Sequence, residues 1–318
     1  MLWLSGCDGP QSALEPAGRS AERIAELFWE MVVGALVIWG AVMCLTVYAI
    51  YVRPTAHSQR LARFLILGGG AVLPTVVLAG LLAYGLALLP ALLQPAPEGS
   101  LHIAVSGEQW WWRVRYLTSG SHGGDVELAN EIRLPVGERV EFTLESPDVI
   151  HSFWIPALGG KIDMIPGRRN RLALEPSRPG AFRGTCAEYC GLSHALMSFA
   201  VVVQDKADFA AWLRHQQEPA QVPTEPLAAR GGELFLATGC GACHTVRGTP
   251  ATGVVGPDLT HVGSRLSLGA GTLSNSAEDF QRWITQTDRL KPGVHMPAFG
   301  MLPTEEIRAM AAYLDALQ

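Results

Sequence analysis

Lysine is scarce in this 318-residue chain: Lys161, Lys206 and Lys291 are its only lysines, and the other basic side chains are arginines. Long runs of one charge are also lacking, and the formal net charge is only −5. So balanced a surface offers no basic track for a phosphate backbone, which argues against nucleic acid as a partner. Charge is missing altogether from Phe64 to Leu93, and Leu27 to Val52 carries only Glu30. Each stretch exceeds the about 20 helical residues that cross a hydrocarbon core. One such stretch would suit a buried core helix, but two in tandem do not. The second contains Gly68-Gly69-Gly70 and Pro74, which membrane helices tolerate better than soluble ones.

Between the two stretches, Arg53-Pro-Thr-Ala-His57-Ser-Gln-Arg60-Leu-Ala-Arg63 places three arginines in a short loop. Positive loops stay cytoplasmic. Residues 24–95 are therefore expected to form a transmembrane helical hairpin in a bacterial inner membrane, with the N-terminus and everything after Leu93 on the periplasmic side. The N-terminal segment, residues 1–23, includes Leu4-Ser5-Gly6-Cys7, which looks like a lipoprotein cleavage box with Cys7 as the lipidated residue. Only six residues precede Cys7, fewer than the about 7–15 apolar residues of a signal core. An ordinary thiol is the rival reading.

From residue 100 the texture becomes soluble. Short alternating segments separated by Gly, Pro and Asp breaks predict strands at Leu101–Ser106, Arg113–Leu117, Glu131–Leu134, Arg139–Leu144, Val149–Ile155 and Ala200–Val203. Residues 100–216 thus read as an antiparallel β-sandwich or barrel, closed by a helix over Asp205–Gln217. Within it lies Cys186-Ala-Glu188-Tyr-Cys190-Gly-Leu-Ser-His194-Ala-Leu-Met197. Thiolate, imidazole and a weak thioether are copper ligands, and such a site takes a second imidazole from elsewhere. His151 is the best candidate, because it ends a strand-like run followed by apolar residues; His102 and His122 compete. The second cysteine goes beyond a mononuclear site, since two thiolates can bridge two ions.

Residues 217–226, with three prolines and no apolar period, read as a linker. Residues 227–318 open with a helical run and then Cys240-Gly-Ala-Cys243-His244. The spacing C-x-x-C-H is the attachment signature of c-type haem, with the histidine as iron ligand. A thioredoxin-like redox pair would follow a strand in an α/β pattern, which this region lacks. Structural disulfides are the bland alternative for both cysteine pairs, and the histidines beside them argue against it. A methionine should complete the iron's ligands, as in carriers of high potential. Met310 falls on the apolar stripe Ile307, Met310, Ala311, Leu314 of the last helix and reads as core.

The chain resembles subunit II of cytochrome c oxidase. The resemblance rests on Glu108-Gln-Trp110-Trp111-Trp112, Asp148-Val-Ile-His151-Ser, Pro156-Ala-Leu-Gly-Gly-Lys161-Ile-Asp163-Met-Ile-Pro166-Gly167-Arg168 and the cysteine loop. The C-terminal part is similar to a class I cytochrome c. The resemblance implies a multi-domain architecture: the hairpin, an all-β cupredoxin-like domain and an all-α cytochrome c domain. It implies a binuclear copper centre, CuA, with Cys186 and Cys190 as bridges, His151 and His194 binding one copper each, Met197 as weak ligand and Glu188 through its carbonyl. The Glu188 side chain would reach a magnesium ion shared with subunit I. Trp110 would take electrons in, while Trp111 and Trp112 are structural. In the cytochrome part, Pro257 would accept the His244 ring N–H, and Met296 would be the sixth ligand, with Met301 next and His295 as the alternative that would give a His/His haem of lower potential.

The implied function is electron delivery within a terminal oxidase. Electrons from a cytochrome c or bc-complex donor would reach haem c, then CuA, then subunit I, where oxygen is reduced and protons are translocated. Subunit III and membrane lipid would be further partners. One departure stands out: Phe64–Ala83 has no acidic residue, where many relatives carry one near a proton channel. The rival readings are a CuA-containing nitric oxide reductase subunit, a quinol oxidase subunit and a copper-delivery protein.

Overall fold

The computed structural model describes residues 9–52, 54, 58–117 and 124–318. Cys7, His122, Arg53 and His57 lie outside them. The chain divides into two units, Glu22–Gln94 and a second formed by Pro95–Gln318 with the described residues up to Ala21.

In the first unit, helix α1 (Arg19–Val47) runs on through a π-helical turn, Tyr48–Val52. Helix α2 (Gln59–Arg63) starts at Ser58, whose hydroxyl accepts the Leu61 N–H, and continues through a π-helical stretch, Phe64–Val72, into α3 (Leu73–Leu93). Pro74, which has no N–H to donate, falls where the π-helical stretch passes into α3. Within the stretches Arg19–Val52 and Gln59–Leu93, an 18-residue window reaches a mean hydropathy of 2.2 and 2.3, with none of either window buried. Both are long and apolar enough to cross a membrane.

The second unit begins as a sandwich of two five-stranded sheets. The strands are β1 (His102–Glu108), β2 (Trp111–Leu117), β3 (Val126–Ala129), β4 (Glu131–Pro135), β5 (Val140–Glu145), β6 (His151–Trp154), β7 (Ile162–Met164), β8 (Asn170–Leu174), β9 (Gly180–Cys186) and β10 (Ser198–Gln204). One sheet has the order β3-β2-β1-β5-β8 and the other β4-β10-β9-β6-β7. Side chains alternate along β1, with Ile103 and Val105 buried between half-buried neighbours, as one inward face requires. Aromatic rings fill the middle: Phe153 stacks on Phe199 at 5.0 Å, and Trp112 meets Phe199 edge-on at 5.1 Å. Tyr116 joins the sheets, its hydroxyl donating to the Arg133 carbonyl at 2.9 Å and accepting the Arg133 N–H at 2.7 Å.

Four of these strands, β3, β7, β8 and β9, were not expected from the sequence. Strand β9 is Gly-Ala-Phe-Arg-Gly-Thr-Cys, and its inward face holds only Phe182, Gly184 and Cys186. Its pattern is weak because Gly184 leaves room for the Phe199 ring. The segment before α1 is stitched to the sandwich: the Ala17 N–H donates to Ala157 at 2.7 Å, and the Ser177 N–H to Ala17 at 2.7 Å.

The rest is helical: α4 (Lys206–Gln217), α5 (Pro226–Ala237), α6 (Ala277–Leu290) and α7 (Thr304–Asp315), with a short hairpin of β11 (Ser267–Leu268) and β12 (Leu273–Ser274). Its separate core holds Phe235, Phe280, Ile284, Ile307, Met310 and Leu314. Helices α5 and α7 cross at Gly231, where any Cβ would overlap the Ala309 carbonyl. The proline-rich connection is held down rather than loose. Ala220 donates to the Arg247 carbonyl at 2.9 Å, and Arg247 donates to the Gln216 and Gln217 carbonyls. The helical part also lies directly on the sandwich. Leu266 donates its N–H to Glu131 at 2.9 Å, Arg113 donates to the Val254 carbonyl at 3.0 Å, and Val294 packs against the sandwich core.

Candidate metal centre and haem-attachment site

Strand pairing places the first donors. Phe153 on β6 is opposite Cys186 on β9, so His151, two residues back on β6 and facing the same way, lies beside Cys186. The loop after β9 then turns back through a 3₁₀ turn, His194–Leu196, into β10 and returns Cys190, His194 and Met197 to the same end of the sandwich. Cys186 Sγ is 3.8 Å from Cys190 Sγ and 3.8 Å from His151 Nδ1. Cys190 Sγ is 3.5 Å from His194 Nδ1 and 3.8 Å from Met197 Sδ. Cys186 Sγ also lies 3.2 Å from the Glu188 carbonyl oxygen. Ligand atoms of His151, Cys186 and Cys190 all lie within 4.8 Å of one another, and the three residues are buried.

The sulfurs are too far apart for a disulfide, which needs about 2.05 Å, and both cysteines are free. The spacing suits shared metal ions instead: two donors about 2.0–2.3 Å from one tetrahedral ion stand roughly 3.4–3.8 Å apart. Thiolate, imidazole and thioether are also the soft set that copper prefers over magnesium or calcium. The Cys186 thiol is pulled down to about 4, chiefly by the hydrogen bond from Cys190 and then by His151 and backbone donors. Cys190 is pushed up, because it keeps the proton that Cys186 gives up. Burial alone would lower the His151 imidazole, but Cys186 and Asp148 together raise it.

The surroundings fix the donors. Asp148 Oδ1 is 2.9 Å from His151 Nε2, which leaves Nδ1 facing the sulfur, and Asp148 Oδ2 accepts the Gln109 N–H at 2.7 Å. Burial would raise Asp148, but N–H bonds from Val149 and Gln109 and the contact with His151 hold it below the usual range. The Cys190 carbonyl accepts from Gln109 Nε2 at 2.7 Å and from Trp110 Nε1 at 2.9 Å. His102 is not at this site; its Nε2 meets Thr143 Oγ1 at 2.7 Å on the other sheet.

Trp110 departs from the expected open docking position. It is 6 % exposed, and Gly293 of the helical part lies against its ring. Trp111 is half-buried under Arg113, whose guanidinium carbon stands 4.6 Å from the ring centre, and Trp112 is core.

In the helical part, Cys240 and Cys243 are both free, the first half-buried and the second exposed. His244 Nδ1 lies 2.9 Å from the Pro257 carbonyl. The carbonyl only accepts, so Nδ1 carries the proton and Nε2 keeps its lone pair for an iron ion. Burial holds the His244 imidazole below its usual value, with Arg265 adding to the effect. Met296 is half-buried and Met301 is 77 % exposed, while Met310 is core as expected. Sequence reasoning missed the tasks of Asp148, Gln109, Ser193 and Lys291. Only Asp148, three residues before His151, carried a signal.

Comparison with known proteins gives the same picture. Residues 115–205 match the family described as cytochrome C oxidase subunit II, periplasmic domain, and residues 228–318 match cytochrome c. The chain is 34 % identical over 335 aligned positions to cytochrome c oxidase subunit 2 of Alkalihalophilus pseudofirmus, covering 100 % of this chain and 94 % of the relative. The chain belongs to the cytochrome c oxidase subunit II family. Subunit 2 of Bacillus sp. (strain PS3) is 34 % identical over 232 positions, 70 % of this chain and 63 % of that one. The crystal structure of the periplasmic domain of oxidase subunit II from Bradyrhizobium japonicum covers 38 % of this chain and 96 % of its own, with 33 % identity and a TM-score of 0.35. As a subunit II with a cytochrome c domain, the chain is part of a haem–copper oxidase, an oxidoreductase. The two domains imply copper and haem c, and the family implies assembly with other oxidase subunits.

Proposed function

We propose that this subunit II accepts electrons from a cytochrome c-type donor at its own haem c and passes them through CuA to subunit I, where oxygen is reduced to water and protons are translocated. The carrying observation is the donor cluster of Cys186, Cys190, His151, His194 and Met197, whose neighbouring contacts are 3.5–3.8 Å long. Cys186 and Cys190 would supply two thiolates to the metal pair, His151 and His194 an imidazole nitrogen each, Met197 a weak thioether and Glu188 a carbonyl oxygen. When bound, a copper pair sharing two thiolates spreads one electron over both ions, so little rearrangement accompanies transfer. Asp148 orients His151, and the buried Phe153, Phe199 and Trp112 rings keep water from the site.

Cys240 and Cys243 would attach haem, and His244, with its Nε2 lone pair free, and Met296 would supply the ligands to its iron. The fit is supported by Arg265, whose Nε is buried without a partner among the described residues and whose charge acts on His244. A haem propionate would satisfy that donor. The soluble unit faces the periplasm, the two apolar helices cross the inner membrane, Cys7 carries lipid, and the Glu188 carboxylate reaches magnesium at the boundary with subunit I.

Electron paramagnetic resonance of the copper-loaded oxidase tests the reading. An electron coupled to two equivalent coppers is expected, with a pyridine haemochrome of covalent c type. A mononuclear copper signal would overturn the assignment of the bridging cysteines.

A further inference from the structure

Lys291 is 1 % exposed, yet its ammonium has no carboxylate partner among the described residues. It donates to two backbone carbonyls instead. One is Leu196, between His194 and Met197 in the copper-site loop, at 2.8 Å, and the other is Gly269 of the cytochrome domain, also at 2.8 Å. Lys291 directly follows α6 and opens the segment that leads to Met296. The next residues continue the same contact. The Pro292 carbonyl accepts from Ser193 Oγ at 2.7 Å, Gly293 lies against the Trp110 ring and Leu192, and Val294 packs on the sandwich core. Trp110 in turn donates to the Cys190 carbonyl at 2.9 Å.

An ammonium buried without a counter-charge costs free energy. Burial pushes Lys291 down to about 7, partly opposed by the Cys190 sulfur. A methionine would fill the same slot without that cost, so stability does not explain the lysine. What the ammonium adds is a directed bond to the residue before Met197 and a positive charge that interacts with the Cys190 sulfur.

We infer that Lys291 is a positioning residue that holds the segment leading to Met296 on the copper-site loop and biases the copper centre toward reduction. This rests on the ligand assignments of the preceding subsection. The step it serves is simple in balance: one electron leaves reduced haem and reduces the copper pair by one, with no proton moved. A second consequence concerns Trp110. Its ring is covered by the chain's own cytochrome domain, so a soluble donor meets the haem domain and not the tryptophan.

The test uses the intact oxidase complex and Lys291→Met. Electrons are injected photochemically into haem c, and haem oxidation and copper reduction are followed. Displacement of the segment should slow transfer by about tenfold or more, and loss of the cation should lower the copper midpoint potential. Ser193→Ala, which removes a neutral bond nearby, should leave that potential in place. An unchanged rate or an unchanged potential in a K291M complex holding both centres overturns the inference. Absence of a binuclear copper signal or of haem c from the wild type would instead fail the ligand assignments. Should K291M not assemble, the wild type supplies the measurement. The chain has only three lysines, and Lys161 and Lys206 have side chains 45 % and 61 % exposed. Acylation by an amine-reactive ester, read by mass spectrometry, should mark those two and spare Lys291. Labelling of Lys291 as fast as the others would overturn the docked arrangement.

Discussion

Replacing Gly256 by alanine should unseat the proximal histidine of the cytochrome domain. A Cβ at residue 256 would stand 2.5 Å from His244 Cε1 and 2.8 Å from Nδ1, inside the 3.4 Å at which ordinary contact begins. The Gly256 N–H is bonded to the Cys243 carbonyl at 2.8 Å, so the backbone has little freedom to retreat. The ring must therefore move by the better part of an ångström, and its 2.9 Å bond to Pro257 then fails. Overpacking of this kind costs about 1–3 kcal/mol, and the lost hydrogen bond about 0.5–1.5 kcal/mol. The variant should lose about 2–4 kcal/mol in guanidinium unfolding of the cytochrome domain. Because that bond makes the imidazole a stronger donor, the haem midpoint potential should rise. A loss below about 0.5 kcal/mol, within the range of neutral surface changes, together with an unmoved potential would refute the reasoning.

Asp148→Asn should weaken copper retention about 10–100-fold, the usual effect of removing a group that orients a ligand; chelator competition that finds wild-type retention would count against it. Gly184→Ala would drive a Cβ into the Phe199 ring, beneath the copper loop. The expected loss is on the order of 3 kcal/mol, and an unshifted melting temperature would show that the ring can yield. Lys291 also predicts a pH dependence. Its folded value is about 7 against about 10.4 unfolded, so the unfolded chain holds the extra proton between those values. Stability then rises with pH across that window, and below it the penalty is constant. The rise should be smaller in K291M by this contribution; denaturation at neutral and alkaline pH that shows identical slopes would refute it.

Much of the site was legible because its donors are close in sequence. Cys186, Cys190, His194 and Met197 sit on one loop, and Cys240, Cys243 and His244 on one turn, so spacing alone exposed the chemistry. The apolar spans were legible for a similar reason: hydropathy over a long window needs no partner. Strands β7, β8 and β9 were not, since short, polar or glycine-bearing strands take their identity from neighbours such as Phe199.

The sequence by itself determined the soft donor set, the haem-attachment turn and the two apolar helices, because each is a local property of the chain. Only the tertiary structure decided that His151 and not His102 meets the cysteines, because that depends on β6 lying beside β9. It alone placed Trp110 beneath the cytochrome domain and buried Lys291 between that domain and the copper loop. The Lys291–Leu196 contact joins residues 95 positions apart, Trp110 and Gly293 are farther apart still, and no local pattern specifies which distant carbonyl a lysine will find.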